Sequence, residues 1–388
     1  MVSQFGFSIT SFVIPWLIMN VTGSPFHMGM VWGLGYLSYL IFSFPAGVWI
    51  DRYNRKMLLI VSDIGRMMLL LILVYLFITD DASIWSLYLI RIGISLFSSI
   101  FDNCYIAAMP NLIDKEDLYK ANGHIMSTTS IVQIVGTAIA GFLVAQFGVT
   151  TTLIIDVVTY LVSIICILVI KGEFAKHKPP KKNMFIELKE GIQYTWNLKI
   201  IRYFALLTMG VNLSLQAGLA VLIYRLEIEI GLSTKVSSLI FAGMTFGVFL
   251  GSLCVDFVLK RFSIKSVTLL CFAVFTLSYF ALSIVSSPIL IVICETILGI
   301  WVTIWNVQVG SMRQKIVPNE LLGRVGSAAR SIAYVSIPIG ASIGGILAEK
   351  TGVQFVFVLC GAISLLITMY CFFIKNDVYT KHEERIAS

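Results

Sequence analysis

Long apolar runs, separated by short polar connections, recur along the whole chain. They read at about 5–20, 27–50, 57–79, 84–108, 125–147, 149–170, 200–224, 236–259, 264–285, 289–312, 326–348 and 352–374. Each is near the roughly 20 residues that cross a hydrocarbon layer. Lipid tolerates no unpaired backbone, so each run has to be helical. The pattern predicts an all-α polytopic membrane protein with twelve transmembrane helices. One connection breaks the rhythm. Residues 171–199 are long and basic and are split by Pro179–Pro180. Their second part, 184–198, places Phe185, Leu188, Ile192 and Trp196 on one face, as an amphipathic surface helix would. That helix reads as a lipid-surface tether or a docking site for a partner. The expected organisation is therefore a six-helix half over 1–170, a linker over 171–199, a second six-helix half over 200–374 and a tail over 375–388.

Composition agrees with the pattern. Apolar residues are 58% of the 388, charged residues 13%, and mean hydropathy is +0.90. A soluble domain carries about 25% charge, so soluble, disordered and collagen-like classes are excluded. The formal net charge of +7 acquires its meaning from position. Of the 28 Lys and Arg, 22 lie in the even-numbered connections and the tail, and three lie in the odd-numbered connections. The positive-inside rule then places both termini in the cytoplasm, and no nucleic-acid partner is needed to explain the charge. The seven cysteines stand singly in apolar runs, with no CxxC and no Cys/His cluster. They predict neither a metal site nor a disulfide framework. The first run lacks a basic n-region and a small-residue cleavage site, so no cleavable signal peptide is expected.

The two halves read as copies. Gly136–Gly148 (GTAIAGFLVAQFG) aligns with Gly340–Gly352 (GASIGGILAEKTG) at an offset of 204, with five of thirteen positions identical and three of them glycine. At the same offset LIDKEDLYKANG matches IVPNELLGRVGS in character, Gly47 falls on Gly251, and Arg91 falls on Glu295. Both copies keep their basic loops on one side, so the repeat is parallel. Parallel repeats place a substrate near the midplane between halves that alternate in access.

Charge inside the membrane is costly and marks function. In the fourth span Arg91, Ser95, Ser98 and Asp102 share one helical face. Glu295 in the tenth span shares a face with Gly299, Thr303 and Asn306, and is a candidate proton carrier or a fixed partner of Arg91. Asp156 in the sixth span precedes Tyr160 and Ser163 on one face; it reads as a coupling carboxyl or a cap at the outer mouth. Arg66 and Arg330 read as snorkelling side chains near helix ends. Polar stripes at Gln4, Ser8 and Ser11, and at Thr208, Asn212 and Gln216, occupy the repeat-equivalent first and seventh spans.

Gly47-Val-Trp-Ile-Asp51-Arg52-Tyr-Asn-Arg55-Lys56 ends the second span. Gly47 allows close helix approach, Asp51 suits a helix N-terminus, and Arg52 and Arg55 suit acidic groups or lipid phosphate. The second copy is degraded, with Asp256 one residue late and no second basic pair. With the parallel 6+6 repeat, this segment resembles the diagnostic G-x-x-x-D-R-x-x-R-K of the major facilitator superfamily. The resemblance covers almost the whole chain and implies a conformational lock at Gly47, Asp51, Arg52 and Arg55, with Asp102 as the partner of Arg55. It also implies a proton-coupling role for Arg91 and a cavity lined by the first and seventh spans, which brings in Asn212 and Gln216.

Met109-Pro110-Asn111-Leu112 and Val317-Pro318-Asn319-Glu320-Leu321-Leu322-Gly323-Arg324 are similar to the macrolide-efflux and siderophore-exporter branch of drug:proton antiporters. The implied activity is proton-driven export of small amphipathic molecules by a monomer in a bacterial inner membrane. The proton gradient supplies the energy, and no bound cofactor is expected. Gly136-Thr137 stands where antiporters usually carry Gly-Pro, which leaves import of a metabolite as the alternative. Relatives usually carry a short basic segment ahead of the first span, whereas Met1 falls inside it here, as a late start or a shortened first span would produce. HExxH, GxSxG and GxxxxGK[ST] are absent, so an enzyme and direct ATP drive are not expected. A non-transporting scaffold would need no lock.

Overall fold

A computed structural model describes residues 2–112, 118–170 and 184–373. The secondary structure is helical: α1 (Val2–Thr22), α2 (Pro25–Arg52), α3 (Arg55–Ile78), α4 (Ile84–Leu112), α5 (Leu118–Val169), α6 (Met184–Asn197), α7 (Lys199–Tyr224), α8 (Thr234–Arg261), α9 (Ile264–Ile284), α10 (Pro288–Ile316), α11 (Asn319–Tyr334), α12 (Ser336–Thr351) and α13 (Val353–Phe373). Among the described residues, 10 helices are long and apolar enough to cross a membrane. Two expected spans lie within the single element α5, and α2 covers another. Side chains such as Leu277, Ile284, Leu366 and Phe373 stay exposed, as a lipid-facing surface requires.

The interruptions have local causes. Gly148 (φ 78°) divides α5, and Gly352 (φ 91°) separates α12 from α13. These are the glycines that close the two aligned thirteen-residue segments, so the repeat extends to the backbone. A side chain at either position would be strained in this left-handed region. The eleventh span is broken at Val335. Pro338 provides no N–H for the Tyr334 carbonyl. The neighbouring Ala333 carbonyl accepts Asn212 Nδ2 at 3.0 Å and Ser336 Oγ at 2.7 Å. Side-chain donors thus bind the backbone next to the proline break. α7 ends in a π turn, Arg225–Glu229.

The chain forms two compact units. The first comprises Met1–Pro179 with Ile223–Ala242, and the second Pro180–Leu222 with Gly243–Ser388. In the first, Ile9, Phe12, Val13, Leu17, Met28 and Ile94 contribute to one apolar core. In the second, Trp305 is fully buried, with Phe204 at 5.6 Å, Phe272 at 5.1 Å and its Nε1 on Thr208 Oγ1 at 3.2 Å. α6 packs on α11 in the same unit. Its Ile192 and Trp196 are exposed, whereas the side chains of Phe185 and Leu188 lie outside the described residues.

Glycine sets the tightest crossing in the second unit. Gly243, Gly247 and Gly251 line one face of α8 at four-residue steps, against Thr296, Gly299 and Ile300 of α10. Thr296 Oγ1 donates to the Gly243 carbonyl at 3.1 Å and Thr303 Oγ1 to the Val248 carbonyl at 3.2 Å. Small residues allow this backbone approach. A Cβ on Gly247 would collide with the Thr296 carbonyl, whereas one on Gly310 meets open space. Gly247→Leu is expected to cost about 1–3 kcal/mol or more by overpacking, and Gly310→Ala to stay within about 0.5 kcal/mol. Thermal unfolding of the detergent-purified variants checks both.

Candidate functional site

The first unit buries a cluster of charge. Asp63 and Arg66, one turn apart on α3, form an ion pair, and both are at most 3% exposed. Ser163 Oγ donates to the other Asp63 oxygen at 2.7 Å. The Arg66 guanidinium lies 4.4 Å from the Phe101 ring centroid and 4.8 Å from that of Tyr160. Flat apolar rings on a delocalised cation stabilise it where water is absent. Asp102 and Asp156 are also within electrostatic reach of Arg66. Asp63 alone is in contact with the guanidinium; the other two act on it at longer range.

Asp156 is fully buried. Thr10 of α1 donates its hydroxyl to it, and Thr159 Oγ1 lies 3.2 Å from its other oxygen. Gly6 makes room for this contact, because a Cβ there would collide with the Asp156 carboxyl. Asp102 accepts from Tyr39 at 3.1 Å. Arg91 is half-buried beside Tyr36 and Tyr160. It occupies the space that Gly35 leaves open on α2. No carboxylate is paired with Arg91 among the described residues.

The loop motif contributes differently from the expected pairing. Arg55 is buried, and its Nη1 donates to the Ala107 carbonyl at 2.8 Å, not to Asp102. Lys56 Nζ donates to the carbonyls of Leu168 and Ile170 at 2.8 and 2.9 Å. Both cations therefore bind carbonyls near helix C-terminal ends, where the dipole is negative. Asn54 caps α3 by accepting Lys56 N–H at 2.9 Å. Arg52 is exposed. Gly47 and Asp51 fall on α2, and their side-chain surroundings lie outside the described residues.

In the second unit Glu295 is 3% exposed and has no hydrogen bond or ion pair among the described residues. Asn212 is spent on Ala333. Gln216 is 7% exposed, and its Oε1 has no partner. Among the described residues no group of acidic, His or Cys side chains is placed to hold a metal.

Sequence reading missed two features. Arg66 does not snorkel; Asp63 neutralises it inside the protein. The signal was present as opposite charges three residues apart in an apolar run. Glu227 lies beyond the apolar run that ends near 224, and the π turn carries it into the first unit. There Trp16 Nε1 donates to Glu227 Oε2 at 2.8 Å, and Thr234 Oγ1 lies 3.3 Å from the same oxygen.

An all-helical membrane fold of duplicated halves, with its charge buried at membrane depth, defines a major facilitator superfamily transporter and not an enzyme. The family described as "Transmembrane secretion effector" matches residues 1–387, and the chain belongs to it. Macrolide efflux protein A of Streptococcus pyogenes is 26% identical over 385 residues, covering 95% of this chain and 92% of that protein. Multidrug efflux pump Tap of Mycolicibacterium fortuitum is 23% identical, covering 96% and 92%. Among solved structures, the nucleoside transporter NupG has a TM-score of 0.74 at 15% identity, covering 96% of this chain and 98% of its own. An inward-facing bacterial homologue of the iron transporter ferroportin has a TM-score of 0.75 at 14% identity, covering 96% and 95%.

Removing the Asp63 carboxylate leaves Arg66 buried without its ion-pair partner. Asp63→Asn is expected to cost about 3–5 kcal/mol, and Ser163→Ala about 1 kcal/mol. The joint change Asp63→Asn with Arg66→Met should recover part of the larger loss. Thermal unfolding of the three variants in one detergent checks the order.

Proposed function

We propose that this chain exports small amphipathic molecules, of macrolide, multidrug or siderophore type, by proton-driven alternating access. The observation that carries export is the match over 95% of the chain to a macrolide efflux protein. Three carboxyl groups, Asp63 in contact with Arg66 and Asp102 and Asp156 within its electrostatic range, support proton coupling, because ionisable groups within spans mark proton relays. Asp156 and Asp102 take up and release protons in the first unit, and Glu295 does so in the second. Arg91, Asn212 and Gln216 line the substrate path. Gly47, Asp51 and Arg52 act as the conformational lock, while Arg55 and Lys56 hold α3 to the ends of α4 and α5. The 22-to-3 split of basic residues supports cytoplasmic termini in a bacterial inner membrane. The transporter works as a monomer and uses the proton gradient without a bound cofactor.

The test is accumulation of macrolides and cationic dyes in efflux-deficient bacteria expressing the chain. Accumulation should fall, and a protonophore should restore it. Asp156→Asn and Glu295→Gln should each reduce efflux by about tenfold, a coupling loss of ordinary size, with membrane levels unchanged. Asp51→Asn should slow transport without abolishing substrate binding. Raised accumulation that collapses with the protonophore would establish import instead. Full pumping by Glu295→Gln or by Asp156→Asn would remove that residue from the coupling role.

A further inference from the structure

Arg66 and Arg91 both lie at membrane depth in the first unit, and the protein treats them differently. Arg66 has Asp63 in contact, with Asp102 and Asp156 in electrostatic range. Arg91 has no such neighbour. The groups that act on it are Tyr36 of α2 and Tyr160 of α5, phenols that carry no charge at neutral pH. Among the described residues it forms no ion pair and donates no side-chain hydrogen bond. Arg91 lies seven residues into α4, about 10 Å from the start of that helix, within the candidate span Ile84–Met109. It does not snorkel out of the bundle. Its Nε, Nη2 and Cζ atoms pack into the space that Gly35 leaves on α2.

The guanidinium is also within reach of a ligand. Arg91 is half-buried, and its unpaired nitrogens keep accessible surface, unlike the Nε atoms of Arg55 and Arg66, which are sealed. Trp32 and Tyr36 stand one turn apart on α2, on the side of the helix that carries Gly35. Their rings are stacked at 6.0 Å and 18°, and both residues are half-buried. An open cation therefore adjoins flat, partly apolar faces.

A charge at this depth calls for a counter-ion, and leaving one unpaired is costly. We propose that the transported molecule supplies it. Arg91 receives the anion on the substrate path, and the preferred substrates carry one carboxylate on an apolar, partly planar body. This rests on the placement of Arg91 on that path and narrows the range of amphipathic molecules given above. The two oxygens of a carboxylate match the guanidinium fork. Arg66 is already spent on Asp63, so a single cation is on offer, which neutralises a monoanion and leaves a phosphate dianion in excess. Neutral and cationic molecules of similar shape use the same aromatic faces, but they leave the guanidinium unpaired and bind more weakly.

Equilibrium binding to the purified chain in a neutral detergent tests this, with free concentrations corrected for partition into protein-free micelles. The probes are fusidate, pyrenebutyrate and naproxen, each against its methyl ester. In at least one pair the acid should bind about tenfold more tightly than the ester, the size of one charge-assisted contact. Arg91→Gln should bind acid and ester alike. Arg91→Lys should keep part of the preference, because the charge remains and the fork is lost. Gly35→Ala crowds the guanidinium and should weaken the acid more than the ester. Equal binding of acid and ester in all three pairs by the unaltered protein would overturn the proposal, whatever the folding of the variants. So would an acid preference that survives in Arg91→Gln. Accumulation of the same probes in efflux-deficient bacteria separates this from the export reading. Acid-selective binding without export of any probe would overturn export and leave the role of Arg91 standing, whereas export without acid selectivity would do the reverse.

Discussion

A positive charge within a hydrocarbon layer has to be neutralised by the protein, because no water reaches it. Arg66 meets that requirement with Asp63, Ser163 and two aromatic faces. The arrangement fixes more than one side chain. Asp63 and Arg66 belong to α3, Phe101 to α4, and Tyr160 and Ser163 to α5 after Gly148. Three helices are thus registered on one guanidinium. Asp156, one turn from Tyr160, is joined in turn to α1 through Thr10. The apolar core of the first unit provides the driving force for packing, and the charge determines which packing is allowed.

The two units handle membrane-depth charge unequally. The first concentrates cations and carboxyls, whereas the second holds, among the described residues, a single buried carboxyl, Glu295, beside a glycine-lined crossing of α8 and α10. Repeat-equivalent positions have diverged accordingly, with Arg91 in one copy and Glu295 in the other. The intact loop motif belongs to the unit with the charge cluster, and its degraded copy belongs to the other. Duplication supplied a common frame, and the halves then took on different electrostatic work.

Much of this was legible in the sequence because it is periodic. Apolar run length located the spans, and the paired glycines at 148 and 352 located equivalent turns whose positive φ the structure records. What was not legible depends on which atoms meet across helices. Arg55 and Asp102 were expected together on family grounds, yet the guanidinium binds the Ala107 carbonyl and Asp102 accepts from Tyr39. Asn212 looked like a cavity residue because it lies on a polar stripe. The carbonyl it serves, that of Ala333, is 121 positions away, and nothing local in α7 signals that. Glu227 was hidden by helix length, since a π turn extends α7 beyond the apolar run.

The Asn212 contact has a consequence for how binding and shape are linked. Its amide now serves backbone exposed where α11 gives way to α12. Any solute that recruited the same N–H would take that donor away and leave the Ala333 carbonyl to Ser336 alone, untying α7 from the break. Competition for one donor would make ligand occupancy and helix geometry a single equilibrium. A molecule held at this point would then be sensed by the scaffold without any separate relay.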